Sequence, residues 1–127
     1  MAYVLVVDDS IEQRKILSVI INQIGVACAT ACDGIEALQV IETDPPSLVI
    51  LDVDMPGMNG YEVCHQLKTH AKTRHIPIMM CTGKSQTSDP YWGTEAGADA
   101  YLRKPFRIHE LIRMMEQVLP NIGRTTA

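Results

Sequence analysis

A single α/β domain, with five parallel strands and helices on both faces of the sheet, is what these 127 residues predict. Apolar runs of strand length begin at Tyr3, Val26, Leu48, Ile76 and Ala98, 22 to 28 residues apart, which leaves room for one helix in each gap. The first, third and fourth runs are continuous rather than alternating, the pattern of strands covered on both faces. The gaps carry apolar residues at helical spacing between capping residues, and such a βα repeat closes as a parallel sheet with right-handed crossovers.

Tyr3 to Val7 forms the first strand and is stopped by Asp8-Asp9. Leu17, Ile20, Ile21 and Ile24 then fall at i, i+3, i+4 and i+7, and Gly25 stands where a helix C-terminal glycine belongs. Val26 to Thr30 is the second strand. Asp33 caps a helix with Ala37, Leu38 and Ile41 inward, which ends before Pro45-Pro46. Leu48 to Leu51 is the third strand, Val63 and Leu67 mark the third helix, and Ile76 to Cys81 is the fourth strand. Asp89-Pro90 sets an N-cap residue before a first-turn proline, so a fourth helix starts there and stops by Gly97. Ala98 to Leu102 is a weaker fifth strand. The last helix, with Ile108, Leu111, Met115 and Val118 inward, ends before Pro120. The domain thus spans 1–120, and 121–127 is a short polar tail.

Aromatic residues make up only 5% of the chain, which argues against stacking platforms for single-stranded nucleic acid. A net charge of −4 has the wrong sign for tracking a phosphate backbone, so no direct nucleic-acid partner is expected. The charge is uneven: residues 1–62 carry ten acids and two bases, residues 63–127 five acids and nine bases. That division suits a site where acids from the front of the chain meet bases from the back. The apolar run at the N-terminus has no basic flank and stops at two aspartates, so it is neither a signal peptide nor a membrane span. Cys28, Cys32, Cys64 and Cys81 form no CxxC pair and read as reduced core residues, which fits a cytoplasmic protein. His65, His70, His75 and His109 lack metal-ligand spacing and read as solvated. The methionines are mostly core fillers, with one of Met114 and Met115 a candidate for a partner face.

In open parallel sheets the functional crevice lies at the carboxyl ends of the strands. Here the first strand ends in Asp8-Asp9, the third in Asp52, the fourth in Thr82, and the fifth reaches Lys104. Carboxylates about 4 Å apart repel by roughly 4 kcal/mol per pair at an effective dielectric of 20, so the cluster calls for a cation or raised pKa values. The donors are hard oxygens, which select Mg²⁺ or Mn²⁺ over zinc. A metal with open positions beside a carboxylate, a lysine and a threonine is a phosphoryl-transfer constellation, with Asp52 the nucleophile and an aspartyl phosphate the product. The turn from Met55 to Gly60 leaves room for the incoming group.

Asp8-Asp9, the run from Leu51 to Gly60 (LDVDMPGMNG), Thr82-Gly83 and Tyr101-Leu-Arg-Lys-Pro-Phe106 together resemble the receiver domain of bacterial two-component response regulators, of the stand-alone CheY-like kind. The resemblance covers about residues 2 to 119. It implies a flavodoxin-like sheet of order 2-1-3-4-5, and an Asp52 that accepts a phosphoryl group from a sensor histidine kinase. Asp9 and Asp52 would hold Mg²⁺ directly, Asp8 mainly through water, and the Asp54 backbone carbonyl would be a further ligand. Thr82 and Lys104 would contact the phosphoryl oxygens, Tyr101 would be the aromatic switch, and Lys104-Pro105 a cis peptide bond. Asp54 and Lys84, each two residues beyond a site residue, would tune the lifetime of the phosphoryl group.

Such a protein is not an enzyme on other molecules and catalyses only its own phosphorylation and dephosphorylation. Its output would be a downstream protein target, bound through the face of the fourth helix, fifth strand and last helix, in chemotaxis or pilus-motility signalling. A monomer or weak dimer is expected, with the single Trp92 as reporter of the switch. Two other readings compete. A small haloacid-dehalogenase-like phosphatase would use Asp52-Val53-Asp54 as its DxD motif, but that motif lies mid-chain rather than on the first strand. A flavin-binding module would need a hydroxyl- and amide-rich first loop where Asp8-Asp9-Ser10 stands.

Overall fold

A computed structural model describes residues 3–83 and 97–120. Five parallel strands, β1 (Tyr3–Val7), β2 (Ala27–Ala31), β3 (Leu48–Asp52), β4 (Ile78–Thr82) and β5 (Ala100–Arg103), form one sheet of order β2-β1-β3-β4-β5. Four helices are described, α1 (Ile11–Gln23), α2 (Gly34–Thr43), α3 (Gly60–Thr69) and α4 (Ile108–Val118). The helix expected from Asp89 to Gly97 falls on residues outside those described, as do Lys84, Trp92 and the 121–127 tail, so α4 here is the last helix.

The continuous apolar strands bury both faces, and their alternation sorts the core into two layers. Leu5, Val7, Val49, Leu51, Ile78 and Met80 point toward Ala37 and Ile41 of α2 and Val63 and Leu67 of α3. Val4, Val6, Leu48, Ile50, Met79 and Cys81 point the other way, toward Leu17, Ile20 and Ile21 of α1 and Leu111 and Met115 of α4. Helices therefore cover both faces, as the sequence predicts.

Element boundaries shift where a backbone group is already engaged. Gly25, at φ +83°, donates to Asn22 C=O and Val26 donates back to Ile21 C=O, which closes α1 in a Schellman cap. Val26 is spent in that cap, so β2 begins at Ala27 rather than at Val26. Pro77 has no N–H to give the ladder, so β4 begins at Ile78 rather than at Ile76. Asp99 accepts the Ile78 N–H at 2.7 Å and pairs with Lys68 at 2.9 Å, and β5 starts only after it, at Ala100.

The helix starts are capped from their own sequence. The Ser10 hydroxyl accepts from Gln13 N–H, Asp33 from Glu36 N–H, and Asn59 from Glu62 N–H. Of these, only the Asp33 cap is predicted from the sequence. Two expectations about burial fail. Ile108 is 57% exposed because it is the first residue of α4, before the stripe of Leu111 and Met115 reaches the sheet. Cys32 is exposed because it lies past the end of β2, on the turn into α2. Cys64 and Cys81 are buried, Cys28 is half-buried, and all four are thiols. The four histidines are exposed, Met115 is buried and Met114 is half-buried.

Candidate functional site

Three strands deliver carboxyl and hydroxyl groups to one end of the sheet, because each parallel strand ends on the same side. Asp8 follows β1 directly, Asp52 is the last residue of β3 and Thr82 the last of β4. All three are buried, at 3%, 5% and 7% exposure, whereas Asp9 is exposed. Carboxylate oxygens of Asp8, Asp9 and Asp52 lie within 4.8 Å of one another. That separation puts the mutual repulsion at several kcal/mol unless it is compensated.

Part of the compensation comes from Lys104, brought in just beyond β5. Its Nζ lies 3.0 Å from Asp52 Oδ1 and 3.4 Å from Asp8 Oδ2. The Lys104 N–H also donates to Thr82 C=O at 2.6 Å, which extends the β4 to β5 ladder and fixes where the side chain starts. The Lys104–Pro105 bond is cis, as expected. Acids from the first half and a base from the second thus meet at one point.

Burial lifts the Asp52 carboxyl above its ordinary range. The hydrogen bond and charge of Lys104 oppose that rise, Asp8 adds to it, and the Asp54 N–H donating to the carboxylate lowers it again. For Lys104, burial works against the charge, but the hydrogen bond to Asp52 and the charges of Asp52 and Asp8 leave the ammonium above its ordinary pKa. Asp52 is thus a desolvated carboxylate held by one strong ion pair. Such a group is more nucleophilic than a solvated one once the pair opens.

The loop after β3 turns back sharply. Gly60 donates to Val53 C=O at 3.0 Å, and a Cβ at Gly60 would come 2.5 Å from Asp52 C=O and 2.8 Å from Val53 Cα. Only a glycine lets α3 start this close to the backbone that carries Asp52. Gly57, at φ +76°, makes the turn itself. The sequence marks this segment as a glycine-bearing turn, but the close approach of Gly60 appears only in three dimensions.

The donor set fits a hard divalent cation: three carboxylates, two of them buried, converge without a histidine or thiolate among them. The Asp54 side chain is exposed and lies outside that trio. Tyr101, in β5 opposite Met80, is half-buried against the layer under α2 and α3. Lys84 belongs to the residues that are not described. Asp8 is further tied down by Ser10 N–H, 2.9 Å from its Oδ1, and by Arg14, whose guanidinium donates to its backbone carbonyl at 2.7 Å. The sequence reading missed both contacts. Ser10, three residues before Gln13, was at least recognisable as a helix cap.

Comparison with known proteins bears on this geometry. The family model described as "Response regulator receiver domain" matches residues 4–116. A probable transcriptional regulator, ycf27, of Cyanophora paradoxa is 42% identical over 97% of this chain and 52% of its own length. Response regulator MprA of Mycobacterium ulcerans is 40% identical over 91% of this chain and 49% of its own. The chain spans about half the length of these curated relatives. Among solved structures, the chemotaxis protein CheY4 of Vibrio cholerae superposes with a TM-score of 0.87 at 34% identity, covering 94% of this chain and 99% of that one. The family match runs through Asp52-Val53-Asp54 and removes the phosphatase and flavin readings.

Proposed function

The chain belongs to the response regulator receiver domain family, and from that premise we propose that it accepts a phosphoryl group on Asp52 from the phosphohistidine of a sensor histidine kinase. The observation that carries this is the buried Asp52 carboxylate, 3.0 Å from Lys104 and beside Asp8 and Asp9 at the carboxyl end of the sheet. An Asp52 oxygen attacks phosphorus, the new O–P bond forms as the P–N bond breaks, and the imidazole leaves with the electron pair. Lys104 exchanges its partner from the Asp52 oxygen to a phosphoryl oxygen, so its charge follows the charge that moves. Thr82, last in β4, offers its hydroxyl to the same group. Asp8, Asp9 and Asp52 are the residues that would hold Mg²⁺, with the Asp54 carbonyl as a further candidate ligand. A bound Mg²⁺ neutralises charge on the phosphoryl oxygens.

Removal of the Lys104 to Asp52 pair and recruitment of Thr82 draw on the ends of β4 and β5, and Tyr101 moves with them. The face of β5 and α4 then belongs to the output surface for a protein target. The likeness to the chemotaxis protein CheY4 favours a chemotaxis-type output, while ycf27 of Cyanophora paradoxa is described as a probable transcriptional regulator. The receiver unit is taken as 1–120, with Asp54 and Lys84 setting the lifetime of the phosphoryl group. Catalysis is confined to the chain's own phosphorylation and dephosphorylation. Ile11 and Ile108, which open α1 and α4 at the site end of the sheet, are 58% and 57% exposed, and this apolar rim suits a protein donor. Among the described residues no helix is long and apolar enough to cross a membrane.

Incubation with acetyl phosphate and Mg²⁺ tests the reading, because the site rather than the kinase supplies the chemistry. Intact mass rises by one phosphoryl group, and EDTA abolishes the rise. Labelling undiminished by EDTA would contradict the proposal.

A further inference from the structure

Arg14 is the one cation besides Lys104 that the described contacts bring against the acid cluster, and the phosphoryl-transfer chemistry leaves it without a task. Its side chain is half-buried, and its Nη1 donates to the backbone carbonyl of Asp8 at 2.7 Å. Every other direction at Asp8 is also fixed. The Asp8 N–H continues the ladder to Ala31 C=O at 3.2 Å, Oδ1 accepts from Ser10 N–H at 2.9 Å, and Oδ2 faces Lys104 at 3.4 Å.

The Asp8 carbonyl lies beyond the last residue of β1, where the ladder no longer supplies donors and a backbone oxygen needs another partner. It is also half of the rigid peptide plane that joins Asp8 to Asp9. Fixing that oxygen fixes the plane, and with it the direction in which the exposed Asp9 leaves the chain. We propose that Arg14 is a positioning residue for the divalent cation: through the Asp8–Asp9 peptide it holds the Asp9 carboxylate in reach of Asp8 and Asp52. The inference rests on the reading of these three acids as a cation site.

Charge and geometry pull in opposite directions here, which makes the sign of the effect decisive. A guanidinium beside a cation site repels the cation, so removing it for its charge alone tightens Mg²⁺ binding. Loss of an outer partner that orients a ligand weakens metal binding, typically 10- to 100-fold. The test is Mg²⁺ titration by calorimetry on the full chain, wild type against Arg14→Met and Arg14→Lys, with thermal midpoints measured in EDTA. The expected result is Arg14→Met about tenfold weaker for Mg²⁺, and Arg14→Lys, which keeps the charge but not the reach of the fork, also weaker. In an Asp9→Asn background the Arg14→Met effect disappears, because the carboxylate it positions is gone. Unchanged or tighter binding in Arg14→Met overturns the proposal, and so does an effect of the same size in the Asp9→Asn background. If Arg14→Met does not fold, Arg14→Lys decides by the same comparison. Wild type that binds no Mg²⁺ removes the cation site itself, an outcome distinct from a wild type that binds and a variant that binds equally well.

Discussion

At the scale of single residues, the cysteines separate what is reactive from what is packed. Burial pushes the Cys81 thiol up to about 12 and the Cys64 thiol up to about 11, while Cys32 on the surface is raised first by its hydrogen bond to Glu36. At pH 8 a thiol reagent therefore modifies Cys32 first, and Glu36→Gln speeds that reaction, as mass spectrometry of the alkylated chain would record. Cys64 and Cys81 react only on unfolding. The same shifts set a pH dependence. In the unfolded chain a thiol titrates at about 8.5. The native chain keeps its protons to higher pH, so the stability these two groups contribute is fully present below that value. It is lost as pH rises toward 11 and 12, by up to about 1.4 kcal/mol per pH unit per thiol. Urea midpoints that do not fall faster above pH 9 in wild type than in the Cys64→Ala/Cys81→Ala variant would refute this. The sequence placed all four cysteines in the core, and it erred at Cys32 because a strand end is set by ladder pairing and not by apolarity.

At the scale of elements, most of the fold was readable because apolar runs, helical stripes and caps are local signals. Gly25 announced the end of α1, and Pro45-Pro46 the end of α2. The contacts of Lys68 with Asp99 and of Asp99 with Ile78 N–H, 31 and 21 positions apart, carry no motif and were not readable. Gly60 is the sharpest instance. Helix propensity alone favours alanine there by up to about 1 kcal/mol. Against that, an added Cβ meets the Asp52 carbonyl at 2.5 Å, which is backbone and cannot give way cheaply. Gly60→Ala is expected to lose about 1 to 3 kcal/mol in urea unfolding. Because the displaced backbone carries Asp52, phosphorylation by acetyl phosphate should slow as well. A variant as stable as wild type would mean that α3 shifts without strain.

At the scale of the whole molecule, the site exists only in the folded chain: Lys104 stands 52 residues from Asp52 and 96 from Asp8. The uneven charge of the sequence anticipated this meeting, and four motifs in order located its members, whereas Arg14 escaped notice because it contacts a backbone oxygen. Three acids held together with one lysine are under-compensated, so a cation that binds only the native state stabilises it. Mg²⁺ at about a hundred times its dissociation constant should add about 2.7 kcal/mol and raise the thermal midpoint, and Asp9→Asn should abolish most of the rise. An equal rise in Asp9→Asn would place the ion elsewhere. Of the acids at this end of the sheet, Asp52 and no neighbour takes the phosphoryl group in the proposed reaction. Borohydride reduction of the acetyl phosphate-treated chain, followed by peptide mass spectrometry, converts an aspartyl phosphate to homoserine and so reads the position directly. Homoserine is expected at residue 52 alone, with none in Asp52→Asn; homoserine at residue 8, 9 or 54 in the wild-type chain would mean that another acid is the acceptor.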